Sequence, residues 1–259
     1  MPATEWGWLI TAGELRTWIL EETGELLVVN KPALVVCHPS KRGSWSSLAG
    51  ACREYLGLER IHLPGRLDRE TSGVVVVAKN RAAASRLQRA ANRGRVRKTY
   101  WAVLCGNLRE RHVVSQPLGR DPKATYACRQ WVVEQGGRGA ETEFVPVACG
   151  GGYTLVRVHP RTGRLHQIRV HAAWMGHPVA GDKLYGPDPE LMLAFIKHGF
   201  TPRLRAALPL ERHALHAGEV TFQTERGEEV FRAPLAEDLA QFCRQRMGLS
   251  ALELSEALA

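Results

Sequence analysis

The stretch His62-Leu63-Pro64-Gly65-Arg66-Leu67-Asp68-Arg69-Glu70-Thr71-Ser72-Gly73, followed at once by Val74-Val75-Val76-Val77-Ala78, decides how this chain is read. The second part is a short unbroken apolar run, the pattern of a strand buried on both faces. Thr71-Ser72-Gly73 is turn-forming and separates Asp68 from that strand. The pattern predicts Asp68 on a loop at the mouth of a rigid sheet, flanked by Arg66 and Arg69. Scaffolds commonly present reactive groups at such places. Local sequence by itself favours a surface Arg-Asp-Arg network of little energetic consequence. Segments further along the chain change that weighting.

The chain has 259 residues, 44% hydrophobic and 24% charged, with a formal net charge of +9. This suits one large domain or two modest lobes with a packed core. Excess positive charge concentrates polyanions, so nucleic acid is the first partner to consider. No apolar run approaches membrane-spanning length, and Met1 to Trp6 lacks the basic start and apolar core of a secretory signal. The six cysteines, at 37, 52, 105, 128, 149 and 243, form no CxxC pair. They read as reduced thiols in a reducing compartment, the cytoplasm.

Along the chain, a short helix is expected around Gly13 to Glu22, with Trp6, Trp8 and Trp18 packing back on the body. Leu26 to Val29 reads as a strand ended by Asn30-Lys31-Pro32, and Leu34 to Cys37 as a second extended piece. Ser40 to Ser44 is a polar, basic loop. Ser47 to Leu56 has the helical repeat of Leu48, Cys52 and Leu56. Asn80 to Arg93 is a helix with Asn80 as N-cap and Gly94 as C-cap. Its arginines, 81, 86, 89 and 93, face either phosphates or solvent. Arg95 to Leu104 starts basic and becomes a strand. Val113 to Ala127 reads as loop-rich, with Pro117, Gly119 and Pro122. Arg129 to Val133 and Glu141 to Ala148 read as strands paired across Gly136 to Gly139. Tyr153 to Val158 is a strand by alternation. The turn Arg161 to Arg164 leads into a helix, Leu165 to Met175, stopped by Gly176. A loop, Pro178 to Pro189, and a short helix, Leu191 to His198, follow. Arg212 to Phe222 runs into a strand that turns at Glu225 to Glu228 and returns as Val230 to Ala233. A last helix runs from Pro234 to about Met247, and the tail is expected to fray. Strands and helices without regular alternation predict a mixed-sheet α+β architecture.

Three segments line up as a candidate constellation: Asp68, Tyr100 beside a basic patch on a strand, and Arg169 near a helix start. A strand tyrosine is usually a core or interface residue, and each of the three is weak by itself. His166, His171 and His177 lack the HExxH spacing, so a metal is not expected.

Together these segments resemble the RluA-type pseudouridine synthase family. Gly65 to Gly73 is similar to its catalytic motif, Arg97 to Val103 to its tyrosine motif, and Thr162 to His171 to its arginine motif. Gly176 to Gly186 continues the match. Asn30-Lys31-Pro32, Leu215-His216-Ala217 and Ala233-Pro234-Leu235 fit its first strand and C-terminal pattern. The resemblance covers about residues 26 to 242. Two departures stand out. The family often has His where Gly65 stands, and many relatives carry an N-terminal S4 RNA-binding domain, which is expected to be absent here.

The resemblance implies a largely antiparallel mixed sheet in two halves, flanked by helices, with a central active-site cleft. It divides the chain into an extension (1–24), a catalytic domain (25–247) and a tail (248–259). It also implies conversion of uridine to pseudouridine in ribosomal or transfer RNA without cofactor or metal. Asp68 would be the nucleophile or base, and Arg169 its charged partner. Tyr100 would stack on the uracil and take part in the late proton transfer. Arg66, Arg69, Lys98, Arg164, His166 and Gln167 are the implied RNA contacts, with Arg95 and Arg97 adding phosphate attraction. A monomer without membrane attachment is the default. The rival readings are an RNA-binding protein or chaperone lacking catalysis, and a metal-dependent hydrolase built on the histidines.

Overall fold

The computed structural model describes residues 3–4, 7–38, 43–124, 128–186, 188 and 190–259, with side chains from Leu9 onward. In chain order the elements are β1 (Ala3–Thr4), β2 (Gly7–Trp8), α1 (Ala12–Trp18), β3 (Ile19–Glu22), β4 (Leu26–Lys31), α2 (Leu48–Leu56), β5 (Ser72–Ala78), α3 (Arg81–Asn92), β6 (Val96–Cys105), β7 (His112–Ser115), β8 (Leu118–Arg120), β9 (Gln130–Val132), β10 (Glu141–Gly150), β11 (Tyr153–Pro160), α4 (Gln167–Trp174), α5 (Glu190–His198), α6 (Pro202–Ala207), β12 (Leu215–Thr224), β13 (Gly227–Arg232), α7 (Glu237–Met247) and α8 (Ala251–Leu258). The chain forms two compact units, residues 1–98 with 216–236, and residues 99–215 with 237–259. No helix among the described residues is long and apolar enough to cross a membrane.

The first unit is organised by β5, every residue of which is buried. β4 pairs antiparallel with β5, Leu27 opposite Val77 and Val29 opposite Val75, and β3 adds to the outside of β4. On the other edge β12 pairs with β5 in parallel, His216 opposite Ser72 and Ala217 opposite Gly73, and β13 returns antiparallel to β12. Val75 and Val77 join Leu15, Leu27, Val29, Leu48 and Cys52 in one apolar cluster. Val74 and Val76 alternate onto the opposite face of the strand, and α3 also packs against β5. A strand enclosed in this way needs apolar residues at every position, which is why this run shows no alternation.

The second unit is an antiparallel ladder in which β11 pairs with β6 on one side and β10 on the other, and β7 adds to β10. A register shift between Pro146 and Ala148 interrupts the β10–β11 pairing, where proline cannot donate to the ladder. β8 and β9 pair separately. α4 packs on β9, β10 and β11, α7 on β10 and β11, and α8 on α7.

Several expectations are corrected. Helix α1 ends at Trp18, and Ile19 to Glu22 is strand. Trp18 packs against the core of the first unit, while Trp6 lies outside the described residues. Leu34 to Cys37 forms no strand, because its carbonyls are taken elsewhere. Lys31 Nζ donates to the carbonyl of Val35, and the first N–H groups of α2 donate to Val36 and Cys37. Residues 39–42, most of the expected basic loop, and 125–127 lie outside the described residues. The loop-rich stretch 113–127 holds β8 and most of β7, both short. β9 pairs with β8 rather than with β10, and the Gly136 to Gly139 turn does not join a hairpin of β9 and β10. Arg86 is buried at 4% exposure and bridges Glu25 and Glu229, so it faces neither phosphate nor solvent. α6 was not foreseen. The tail is helical from Ala251, opened by a Ser250–Glu253 capping box and anchored by buried Leu254.

Candidate active site

In the first unit the Asp68 loop is fixed by its backbone. Thr71 N–H donates to the Asp68 carbonyl at 3.1 Å, closing a tight turn. Leu67 N–H donates to Cys37 Sγ at 3.4 Å. Arg69 Nε donates to the carbonyl of Leu34 at 3.2 Å, and Leu34 is bent into the left-handed region with φ 71°. Lys31, fully buried, donates from Nζ to the carbonyls of Pro32, Val35 and Arg69 at 2.8, 2.8 and 3.2 Å. One buried ammonium thus ties the end of β4 to the Asp68 loop. A buried lysine is tolerated because these carbonyls replace its water. The Asp68 side chain is half-buried on this anchored turn, and Arg66 and Arg69 are exposed beside it.

The strand that follows explains the turn. Gly73 takes φ +116°, and a Cβ there would stand 2.2 Å from the Ala217 carbonyl oxygen. Glycine lets β12 approach β5 closely at the foot of the loop. Ser72 Oγ and His216 Nδ1, 2.9 Å apart and buried, lock the same crossing.

The basic residues before Tyr100 differ in what they do. Arg97 is exposed and pairs with Glu228 at 2.5 Å, and Arg95 is exposed. Lys98 is half-buried, and burial pushes its ammonium pKa down.

In the second unit Tyr100 lies on β6 opposite Val158 of β11 and is half-buried. The arginine segment is more elaborate than its sequence suggests. α4 begins at Gln167 rather than Leu165, because His166 adopts the left-handed conformation at φ 56° and breaks the helix. Gln167 is 4% exposed. Its carbonyl oxygen accepts from the Thr162 hydroxyl at 2.7 Å and from Arg164 N–H at 3.0 Å. Its amide nitrogen donates to the Glu141 carbonyl and to Thr142 Oγ1, both at 2.9 Å. Gln167 therefore holds the turn in shape and has no amide atom to spare for RNA. Arg164 is half-buried and donates from Nε to the Gly139 carbonyl at 2.9 Å.

His171 is also internal. Its Nε2 lies 3.1 Å from the Gln116 carbonyl, which can only accept, so Nε2 carries the proton. Nδ1, 2.8 Å from Thr142 Oγ1, then accepts. Burial lowers its pKa against the opposing pull of the Gln116 carbonyl.

Arg169 is 7% exposed and forms a bidentate pair with Asp182, Nε to Oδ2 at 2.7 Å and Nη2 to Oδ1 at 2.9 Å. The Asp182 carboxylate also accepts the N–H groups of Leu184 and Tyr185 at 2.9 and 3.0 Å. Burial would raise the Asp182 pKa, but the Arg169 charge and these donors hold it well below the usual carboxylate range. Tyr185 roofs the pair, its ring centre 5.0 Å from the Arg169 guanidinium carbon. The Tyr185 hydroxyl accepts Gln130 N–H at 2.9 Å and lies 2.8 Å from His166 Nδ1. Arg129 caps Tyr185 and Trp131 from 5.6 and 5.3 Å.

The second unit therefore brings Arg164, His166, Gln167 and Arg169 together around one buttress, and the first unit holds Asp68, Arg66, Arg69 and Lys98. Sequence reasoning missed Asp182 and Tyr185, although Gly181-Asp182-Lys183-Leu184-Tyr185-Gly186 was already part of the resemblance. It also treated Lys31 as part of a strand-end pattern, without the loop it anchors.

A mixed, mostly antiparallel fold that carries a carboxylate turn, a tyrosine strand and an arginine helix is the architecture of the pseudouridine synthases. The solved structure of human RNA pseudouridylate synthase domain containing 1 is similar at a TM-score of 0.68, with 28% identity over 93% of each chain. The RNA pseudouridylate synthase family matches residues 25–174, which include all three segments, and the chain belongs to this family, to its RluA-type members. It is 33% identical to the uncharacterized RNA pseudouridine synthase YhcT of Bacillus subtilis, over 87% of this chain and 71% of that one. It is also 33% identical to the ribosomal large subunit pseudouridine synthase D of Nitrosomonas europaea, over 86% of this chain and 63% of that one.

Proposed function

We propose that the chain isomerises uridine to pseudouridine in structured RNA, ribosomal or transfer, using Asp68, Tyr100 and Arg169 as one catalytic set. The observation that carries this reading is the anchoring of the Asp68 turn by Lys31, Leu67 and Arg69. A carboxylate on a turn held by these hydrogen bonds is prepared in advance for a reacting group, which is what nucleophile or base work needs.

In the reaction the bond between N1 of uracil and C1′ of ribose breaks, and a bond from C5 to C1′ forms. N1 gains a proton and C5 loses one, so the formula is unchanged. Asp68 attacks or takes a proton while ionised. Arg169 supplies the positive charge of the set. Tyr100 stacks on the base through its reorientation and accepts the C5 proton at the end, directly or through water. No step calls for a cofactor.

A uridine within folded RNA has to leave the stack to be reached, at a cost of a few kcal/mol. Arg66 and Arg69, exposed on either side of Asp68, are suited to hold the displaced strand. Arg164 and His166 supply further contacts from the arginine segment. The protein acts as a monomer in this reading.

The test is a pseudouridine map of ribosomal and transfer RNA from cells with and without the protein. Loss of one or a few sites on deletion, restored by the wild-type chain, supports the reading and identifies the substrate. Identical maps contradict it and favour RNA binding without catalysis.

A further inference from the structure

Among the cations near the Asp68 loop, Lys98 stands apart. Arg97 is paired with Glu228, and Arg69 donates to the carbonyl of Leu34. Among the described residues the Lys98 ammonium has neither a hydrogen-bond nor an ion-pair partner, although it is half-buried. Burial is the cause of its lowered pKa, with no carboxylate acting against it. A partly desolvated ammonium without a partner is unfavourable unless something else supplies the counter-charge.

Its position says where that counter-charge enters. A Cβ built at Gly65 would lie 3.9 Å from Lys98 Nζ. The ammonium therefore sits over Gly65, three residues before Asp68, in the space a larger side chain would fill. Gly65 has no left-handed backbone requirement, so a methyl there would meet Nζ only at van der Waals distance, whereas a longer side chain would compete with the ammonium for this space.

We propose that Lys98, admitted by Gly65, binds a phosphate oxygen of the RNA backbone next to the nucleotide presented to Asp68. This rests on the RNA reading above and assigns one member of the basic patch a specific anion. Lysine serves there as a point charge with rotatable donors, suited to one phosphate oxygen. Gly65 thereby becomes a determinant of substrate binding through the space it leaves.

The test uses the full-length protein and bulk cellular RNA, labelled with tritium at uracil C5, from cells lacking it. Tritium release by wild type comes first: none at all overturns the pseudouridine reading itself, independently of Lys98. Given release, Lys98→Gln is expected to raise KM about tenfold with kcat held within about twofold. Its plot of log affinity against log salt should lose a slope of about 0.7 to 0.9, the signature of one phosphate contact. Lys98→Arg should restore most of both. Gly65→Leu should reproduce the Lys98→Gln slope with the lysine present, while Gly65→Ala, whose methyl only touches Nζ, should keep the wild-type slope. If Lys98→Gln lowers kcat with KM and slope unchanged, or if Gly65→Leu keeps the wild-type slope, the assignment is overturned. Should Lys98→Gln fail to fold, the two Gly65 variants decide the matter by the same slope.

Discussion

Arg169 and Asp182 face each other through two hydrogen bonds, at 2.7 and 2.9 Å, inside the second unit, and Asp182 is 1% exposed. Two backbone N–H groups and the face of Tyr185 complete the enclosure. The pair fixes the direction of the Arg169 guanidinium. Removing Asp182 leaves a buried positive charge, and breaking such a pair costs about 3–5 kcal/mol. Asp182→Ala is expected to lower the melting temperature strongly and to lower tritium release even below that temperature. Unchanged melting would show that Arg169 does not depend on this partner.

The same pair sets an acid limit. The folded-state pKa of Asp182 is depressed, so the unfolded chain binds its proton first as pH falls. Its contribution is fully present above the unfolded value, about 4, and is lost progressively as pH falls below that. Urea unfolding of wild type should weaken below about pH 4, and Asp182→Asn should show a shallower loss over the same range. Parallel curves would contradict the assignment.

Tyr185→Phe isolates a single hydroxyl. It leaves Gln130 N–H and His166 Nδ1 without the oxygen they share. An orphaned partly buried donor costs about 1–3 kcal/mol. The variant should lose that much in chemical denaturation and bind RNA more weakly through a loosened His166 turn. Wild-type stability would show that water replaces the hydroxyl at no cost.

Gly73→Ala tests the foot of the Asp68 loop. A positive φ and a backbone oxygen 2.2 Å from the new methyl both oppose it. Strain of this kind costs about 1–3 kcal/mol before any overlap is counted. Soluble protein with a wild-type melting point would mean that the β5–β12 crossing is looser than described.

Tyr100→Phe keeps the ring and removes the oxygen. Stacking and KM should persist while the proton transfer at C5 slows, so release from tritiated uridine falls by about 100-fold, the lower end of a general-base contribution. Equal rates would exclude the hydroxyl from the reaction.

How far the sequence reached depended on how local each signal was. β5 was legible because burial on both faces leaves an unbroken apolar run, and the start of α3 because Asn80 caps it, although the C-cap is Arg93 and not the expected Gly94. β9 was paired with the wrong strand because a glycine-rich segment resembles a hairpin turn, whereas Pro117 and Leu118 arrive from an earlier segment to bond Val133 and Arg138. The helical tail carries its own signal in Ser250, three residues before Glu253. Asp182 lies inside the matched stretch Gly176 to Gly186, but nothing in that stretch marks its partner. A lone carboxylate in a loop acquires meaning only when the fold sets it against an arginine 13 positions away. Gln167 erred the other way, as a polar residue in a functional motif that proves to be internal scaffolding.

Asp68→Asn bears most directly on the central claim, because it removes the charge and keeps the shape of a residue whose turn is held by backbone contacts. The variant should melt like wild type, bind bulk cellular RNA with unchanged salt dependence, and release no tritium from C5-labelled uridine above background. Release at even a few per cent of the wild-type rate would contradict the assignment of Asp68 as the group that begins the reaction.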